Sequence, residues 1–266
     1  MSDIAGPFEL SRERLAAASV LIAGAGNIGS HLAPQLARAG VGRILLLDRD
    51  RVEAKNLETQ AFRREDVGRF KAEALAERLR EAFPQQSIEG CACELEALSP
   101  EKASVDVLLG ALDSRRARQV LVSEMAWPRG VPVVDGGVGE GLLGRVQVFL
   151  PGPASACLEC TWGREDYRQL AAEYPCLPGA SAVGRPTIST AFLGNFTASI
   201  MTAEYLRILA GRAGSDSYEV VFDLVHYQFR RYLLRRSSTC RHDHKIVGSA
   251  AISGGNQWTR WTNASV

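Results

Sequence analysis

Nowhere does the sequence hold a run of roughly eighteen consecutive apolar residues, the length that a bilayer-spanning helix requires. The opening residues, Met1 to Gly6, also lack the basic-then-apolar pattern of a secretory signal. These absences lead to the expectation of a soluble, cytoplasmic protein. An excess of either charge is missing too. With 31 basic and 30 acidic residues the net charge is +1, so no long-range field recruits nucleic acid or an anionic membrane. Six cysteines in 266 residues are too few for a disulfide-dense secreted scaffold. Two of them, Cys157 and Cys160, form a CxxC pair.

What is present is strongly periodic. Ser19 to Ala23 is a short apolar run ending at Gly24, and Ile28, Leu32 and Leu36 follow at helical spacing up to Gly40. With the apolar run Arg43 to Leu47 this reads as strand, tight turn, helix, strand. Phe70 to Phe83 is amphipathic, Val105 to Leu112 suits a central parallel strand, Arg116 to Trp127 a helix, and Val131 to Val134 the next strand. From Gly141 the pattern changes. Leu142 to Leu150 alternates, Tyr218 to Leu224 and Tyr227 to Leu234 read as an antiparallel pair, and a long apolar-faced helix runs from near Ile188 to Leu209. The expected fold is α/β: a Rossmann-like doubly wound sheet, parallel in its N-terminal half, continued by antiparallel strands, with helices on both faces. Gly163 to Arg185 shows no clear period and is expected to be a long irregular connection. Residues 246–266, rich in Gly, Ser, Asn and Thr, are expected to be a flexible tail.

Gly24, Gly26 and Gly29 form GxGxxG, with Asn27 inside it, between the first strand and helix. At that junction absent side chains let backbone amides and the helix N-terminus approach phosphate. Asp48 follows the last glycine at roughly the 20-residue spacing of a carboxylate that grips ribose hydroxyls. Taken alone, the motif favours a nicotinamide or flavin cofactor.

The stretch Asp48-Arg-Asp-Arg-Val-Glu-Ala-Lys-Asn-Leu-Glu-Thr-Gln60, followed by Asp66-Val-Gly-Arg-Phe-Lys71, points elsewhere. It closely resembles the ThiF, MoeB and ubiquitin-activating family, as do Ala111-Leu-Asp-Ser114 and the strand from Gly144. The resemblance runs from about Ser19 to His244. It implies one adenylation domain over 1–245, with a nucleotide-binding half at 19–140 and a carrier-binding and zinc half at 141–245 that contains a crossover loop at 163–187. The implied partner is a ubiquitin-like carrier protein ending in Gly-Gly, the implied substrate ATP with Mg²⁺, and the implied assembly a homodimer. Gly24, Gly26, Asn27, Gly29, Asp48, Asp50, Asn56, Gln60, Lys71 and Asp113 fall in the matching nucleotide-binding places. Lys71 would supply positive charge to the phosphates, Asp113 would hold the metal or orient the phosphates, and Arg118 stands where the family keeps an arginine. Cys176 lies in the crossover loop, where relatives carry a thioester-forming or sulfur-handling cysteine.

The sequence departs from the family in two places. Thr59 occupies the position of the usual phosphate-binding arginine, leaving Arg63 or Arg64 to substitute, and Arg12 and Arg14 are not in a recognisable copy of the N-terminal arginine motif. An inactive scaffold subunit is therefore kept as an alternative, and a nicotinamide-dependent oxidoreductase as a weaker one that leaves Lys71 and Asp113 unexplained.

Cys157 and Cys160, with Cys240, His242 and His244, suit a tetrahedral structural Zn²⁺, which prefers thiolate and imidazole. Relatives use a second CxxC pair. Here Asp243 stands where its last cysteine would be, and the three-residue gap after Cys240 favours His244 over His242. Cys91 and Cys93, at period two on an expected strand, read as small core residues, and His31 and His226 as structural histidines.

Overall fold

A computed structural model describes residues 10–99, 102–173 and 190–247. Eight strands form one sheet in the order β3-β2-β1-β4-β5-β6-β7-β8. β1 (Ser19–Ala23), β2 (Arg43–Leu47), β3 (Ser87–Cys91), β4 (Val107–Gly110) and β5 (Val133–Val138) run parallel. β6 (Leu143–Phe149), β7 (Tyr218–Asp223) and β8 (Gln228–Leu233) continue it antiparallel. β1, β2 and β4 are short and almost wholly apolar because both their faces are covered, whereas the edge strand β3 buries only Ile88. Successive residues of β1 point to opposite sides. Val20 and Ile22 join Ile44, Leu46, Val107 and Leu109 in one core layer, while Leu21 and Ala23 join Leu45, Leu47 and Leu108 in the other.

The first layer is roofed by α2 (Gly29–Ala39), α3 (Lys71–Ala82) and α6 (Ala191–Leu209), and α6 packs on both α2 and β5. The second is covered by α4 (Arg115–Gln119) and its wide-turned continuation Val120–Ala126. No helix among the described residues is long and apolar enough to cross a membrane.

The structure corrects several expectations. A short helix, α1 (Arg12–Ala17), precedes β1, with Ser11 accepting the Arg14 amide as its cap. It went unread because only Leu15 of its six residues is buried. Part of the expected irregular connection is helical: α5 (Arg164–Glu173) starts where Asp166 accepts the Gly163 amide. The rest of that connection, including Cys176, lies outside the described residues. The expected strand carrying Cys91 and Cys93 ends at Cys91, and the two sulfurs are bonded to each other. Both cysteines nonetheless pack half-buried against the second core layer. Val247, placed in the expected flexible tail, donates its amide to the Pro128 carbonyl at 2.9 Å. Residues 248–266 lie outside the described residues.

Candidate functional site

Strand order reverses between β1 and β4, which opens a crevice at their carboxyl ends, the place where open α/β sheets bind ligands. The loop from Gly24 to Gly29 forms one wall. Gly24 has φ +96°, and a side chain there would lie 2.4 Å from the Ala111 carbonyl oxygen; one on Gly29 would strike the Gly24 carbonyl. Both glycines are therefore required by packing. Gly26 is not: a Cβ there would meet nothing within 4 Å, so its open face leaves room for a ligand against the N-terminus of α2. Asn27 is built in from the other side, donating to the Thr190 carbonyl at 3.2 Å, and its amide fills the space that a side chain on Gly194 of α6 would need.

Asp48 follows β2 and ties the two loops together. One oxygen accepts the Ala25 amide at 2.7 Å and the other the Asp50 amide at 2.8 Å. Burial raises its pKa above the ordinary aspartate value, against the lowering effect of those two amides and of Lys71. Beyond it, residues 50–52 pair with 68–71. Lys71 N donates to the Asp50 carbonyl, Val52 and Gly68 bond one another's segments, and Gly68 at φ +90° makes the turn. The result places the Lys71 ammonium, on a side chain only 9% exposed, 3.2 Å from the Asp50 carboxylate, which is 62% exposed. A buried cation is thus held at the crevice side by a solvated anion.

Asn56 and Gln60 are brought to the same segment in different roles. Asn56 is buried and accepts the Glu53 amide, capping its own turn. Gln60 has a buried side-chain oxygen without a hydrogen-bond partner. Thr59 turns its carbonyl toward His31, 3.3 Å from the ring Nε2, and burial lowers the His31 pKa. Arg63 is exposed and paired with Glu65.

The other wall is the loop after β4. Ala111 N donates to the Ala23 carbonyl, laying this loop along the glycine loop, and Ser114 caps α4 by accepting the Ala117 amide. Arg118 reaches back from α4: Nε and Nη2 both donate to the Leu112 carbonyl, at 3.0 and 2.7 Å, and Nη1 to Asp135 of β5 at 3.0 Å. The peptide before Asp113 is clamped in this way. The Asp113 carboxylate is exposed and makes no hydrogen bond or ion pair among the described residues. It faces solvent at the crevice as a free hard-oxygen ligand, suited to Mg²⁺ or a phosphate-bound donor.

Asp135 and Arg145 were not anticipated. Asp135 lies one residue past the end of the expected strand Val131 to Val134, is 1% exposed, and burial raises its pKa against the pull of Arg118 and Arg145. It was missed because the apolar run stops at Val134 while the strand continues to Val138. Arg145 of β6 offered no signal, since the alternation of that strand marks it only as an outward-facing position.

At the opposite end of the second half, Cys157, Cys160, Cys240 and His244 converge. Their ligand atoms all lie within 4.8 Å of one another. Cys157 Sγ is 3.8 Å from Cys160 Sγ and 3.6 Å from Cys240 Sγ, and His244 Nε2 is 3.5, 3.5 and 3.3 Å from the sulfurs of Cys157, Cys160 and Cys240. Tetrahedral Zn²⁺, with bonds of about 2.3 Å to sulfur and 2.0–2.1 Å to nitrogen, implies edges of about 3.8 and 3.6 Å. The donor set fits that ion. His244 has φ +58°, an uncommon conformation for a side-chain-bearing residue, and it carries the ring into the group. His242 is excluded from it, with its Nε2 3.9 Å from Asp243. Burial, followed by the neighbouring thiols, pushes the Cys157 thiol up.

The doubly wound mixed sheet, with an open glycine loop, a carboxylate after β2, a lysine held by Asp50 and an exposed aspartate at one crevice, has the architecture of a Rossmann-like α/β fold. A profile of the ThiF family matches residues 3–242, and the chain belongs to that family. It is 31% identical over 241 residues to a sulfur carrier protein adenylyltransferase of Thermus thermophilus, covering 86% of this chain and 83% of the relative. It is 29% identical over 234 residues to the sulfur carrier protein ThiS adenylyltransferase of Escherichia coli, covering 86% and 87%. Among solved structures, Escherichia coli MccB with AMPCPP and its peptide MccA superposes with a TM-score of 0.69 at 21% identity, over 87% of this chain and 68% of MccB. That likeness establishes the fold.

Proposed function

We propose that this chain is an ATP-dependent adenylyltransferase that activates the C-terminal glycine carboxylate of a ubiquitin-like carrier or modifier ending in Gly-Gly. The observation that carries this reading is the pairing of two walls at one crevice: Gly26, Asp48 and Lys71 on one side and the unpartnered Asp113 on the other. In the reaction a carboxylate oxygen attacks the α-phosphorus and the bond to the pyrophosphate oxygen breaks. No proton moves, because the nucleophile is already ionised. Charge accumulates on the phosphate oxygens, so the residues must supply positive charge in fixed places. Lys71 supplies one such charge, released from Asp50 toward the nucleotide. Asp113 would hold Mg²⁺, which neutralises phosphate charge when bound.

Gly24, Gly29, Asn27, Asp50, Asn56 and Gln60 shape the same nucleotide site. Cys157, Cys160, Cys240 and His244 bind a structural Zn²⁺. The half from 141 to 245 receives the carrier on an edge where β8 is exposed throughout and carries Phe229, Tyr232 and Leu233 beside Arg230 and Arg231. The protein acts in the cytoplasm as a homodimer, a state that light scattering on purified protein would check. Cys176 is the acceptor of the acyl group: its thiolate attacks the acyl carbon, AMP leaves, and a thioester remains.

The test is ATP–pyrophosphate exchange with candidate carriers, followed by non-reducing electrophoresis. Exchange should require a carrier with a free C-terminal glycine, and a covalent adduct should vanish in Cys176→Ala while exchange persists. One observation favours a second reading, the scaffold subunit: Thr59 lacks the guanidinium that the family resemblance places there, and Arg63 is engaged by Glu65 at the surface. ATP binding without exchange for any carrier would favour that reading.

A further inference from the structure

Two guanidinium groups crowd one point above Gly137, near the carboxyl end of β5. A side chain on Gly137 would place its Cβ 3.5 Å from Arg118 Nη1, from Arg118 Nη2 and from Arg145 Nε. The two arginines therefore lie within twice that distance of each other. In the sheet register Gly110 sits beside Asp135, so Gly137, two residues further along, is level with the loop that carries Asp113. The pair stands at the crevice edge rather than deep in the sheet.

Arg118 makes four hydrogen bonds to the protein. Its donors go to the Leu112 carbonyl, the Gly136 carbonyl and Asp135. Arg145 makes no hydrogen bond to any described residue, although Arg118, Arg115, Asp135 and Glu219 all lie close enough to act on it electrostatically. None of the nearby carboxylates is hydrogen-bonded to Arg145, although Asp135 Oδ1 is buried without a hydrogen-bond partner. Asp135 gives Oδ2 to Arg118, while its Oδ1 fills the space that a Cβ on Gly110 would take, 2.4 Å from that position. Asp166 pairs with Arg115, and Glu219 accepts from Gln147. An extended guanidinium beside a second one, with no anion of its own, is repelled unless an anion comes between or beside them. Arginine's fork matches carboxylate and phosphate oxygens in pairs.

We propose that Arg145 is a substrate-binding residue that takes an oxyanion at the Asp113 edge of the crevice, either the carboxylate of the carrier's tail or a phosphate of the nucleotide. The inference rests on the adenylyltransferase reading for the identity of those two anions. If the oxyanion is a phosphate, Arg145 would also supply the guanidinium missing at Thr59. Asp135 acts one step back, as a positioning residue that fixes Arg118 and so leaves Arg145 as the free donor.

Arg145→Gln and Arg145→Lys test this in the full-length protein, with zinc content and melting temperature as controls for folding. Calorimetric binding of inorganic tripolyphosphate and of a peptide ending in Gly-Gly is measured alongside the KM for ATP and for carrier. Arg145→Gln should weaken one of the two probes at least tenfold, with the matching KM rising in step and Arg145→Lys recovering only part. Loss confined to tripolyphosphate and ATP assigns the phosphate; loss confined to peptide and carrier assigns the carboxylate. Affinities for both probes within twofold of the parent, or no binding of either probe by the parent, would overturn the inference. The binding arm needs no turnover, so a protein that binds the probes through Arg145 yet never exchanges pyrophosphate would contradict the adenylation reading and leave this one standing.

Discussion

The two halves of the sheet are held together by different physics. In the nucleotide half, β1, β2 and β4 are buried on both faces, and the functional loops are fixed by backbone bonds, such as Ala25 to Asp48 and Ala111 to Ala23. In the second half, β8 is exposed along its whole length, and the segment after it reaches the body of the protein through Cys240, His244 and Val247. The first half can stand on hydrophobic burial. The second closes instead with three buried or half-buried thiols and an imidazole, a donor set that fits Zn²⁺, where apolar contacts would otherwise stand.

The largest expected effect follows from that contrast. Cys157→Ser or Cys240→Ser should cost most of one zinc per chain and several kcal/mol of stability, since structural zinc contributes its binding free energy to folding. Metal analysis and denaturant melts check it. Proteolysis after chelation should open the chain around the last strands first and leave 19–140 protected longest. Uniform loss of protection, or a zinc-free protein of parental stability, would break the comparison.

A smaller effect sharpens the account of the first half. Asp48 must be ionised to accept ribose hydroxyls, and burial raises its pKa above the ordinary value. Nucleotide affinity should therefore fall as the pH is lowered through that raised value, at a higher pH than an ordinary aspartate would show. Stability of the empty protein carries the opposite sign: between the unfolded and folded values the native chain binds more proton, so this group's contribution declines as pH rises. Asp48→Asn should weaken nucleotide by roughly tenfold, the scale of a hydrogen bond to a charged group, and flatten the pH dependence. A pH profile unchanged by that substitution would remove Asp48 from the ribose site.

How much of this could be read in advance follows the same division. β1, β2 and β4 were legible because two-sided burial makes them apolar runs, and the glycine loop because its turn admits almost no other residue at Gly24 and Gly29. Cys157 with Cys160 and Cys240 with His244 were each legible as pairs at short ligand-like spacings, and the family resemblance joined the two pairs. α5 was not, since the apolar face in its sequence is only Tyr167, Leu170 and Ala171 and its start depends on a single aspartate cap. Arg145 was invisible for a different reason: on an alternating strand an outward arginine looks like solvated surface, and only the fold brings Arg118 up to it beside Gly137. Cys93 bonds Cys91 across a strand end that the alternating pattern did not mark.

The central claim is that Lys71 and the free Asp113 stabilise charge that develops on ATP. Carrier-dependent pyrophosphate exchange in Lys71→Ala and Asp113→Ala tests it most directly, with nucleotide binding measured on the same preparations. The account expects exchange to fall by about a hundredfold or more in each variant, the scale of losing one preorganised electrostatic partner in a transition state, while zinc content stays at the parental level. Exchange within a few-fold of the parent in both variants would contradict it.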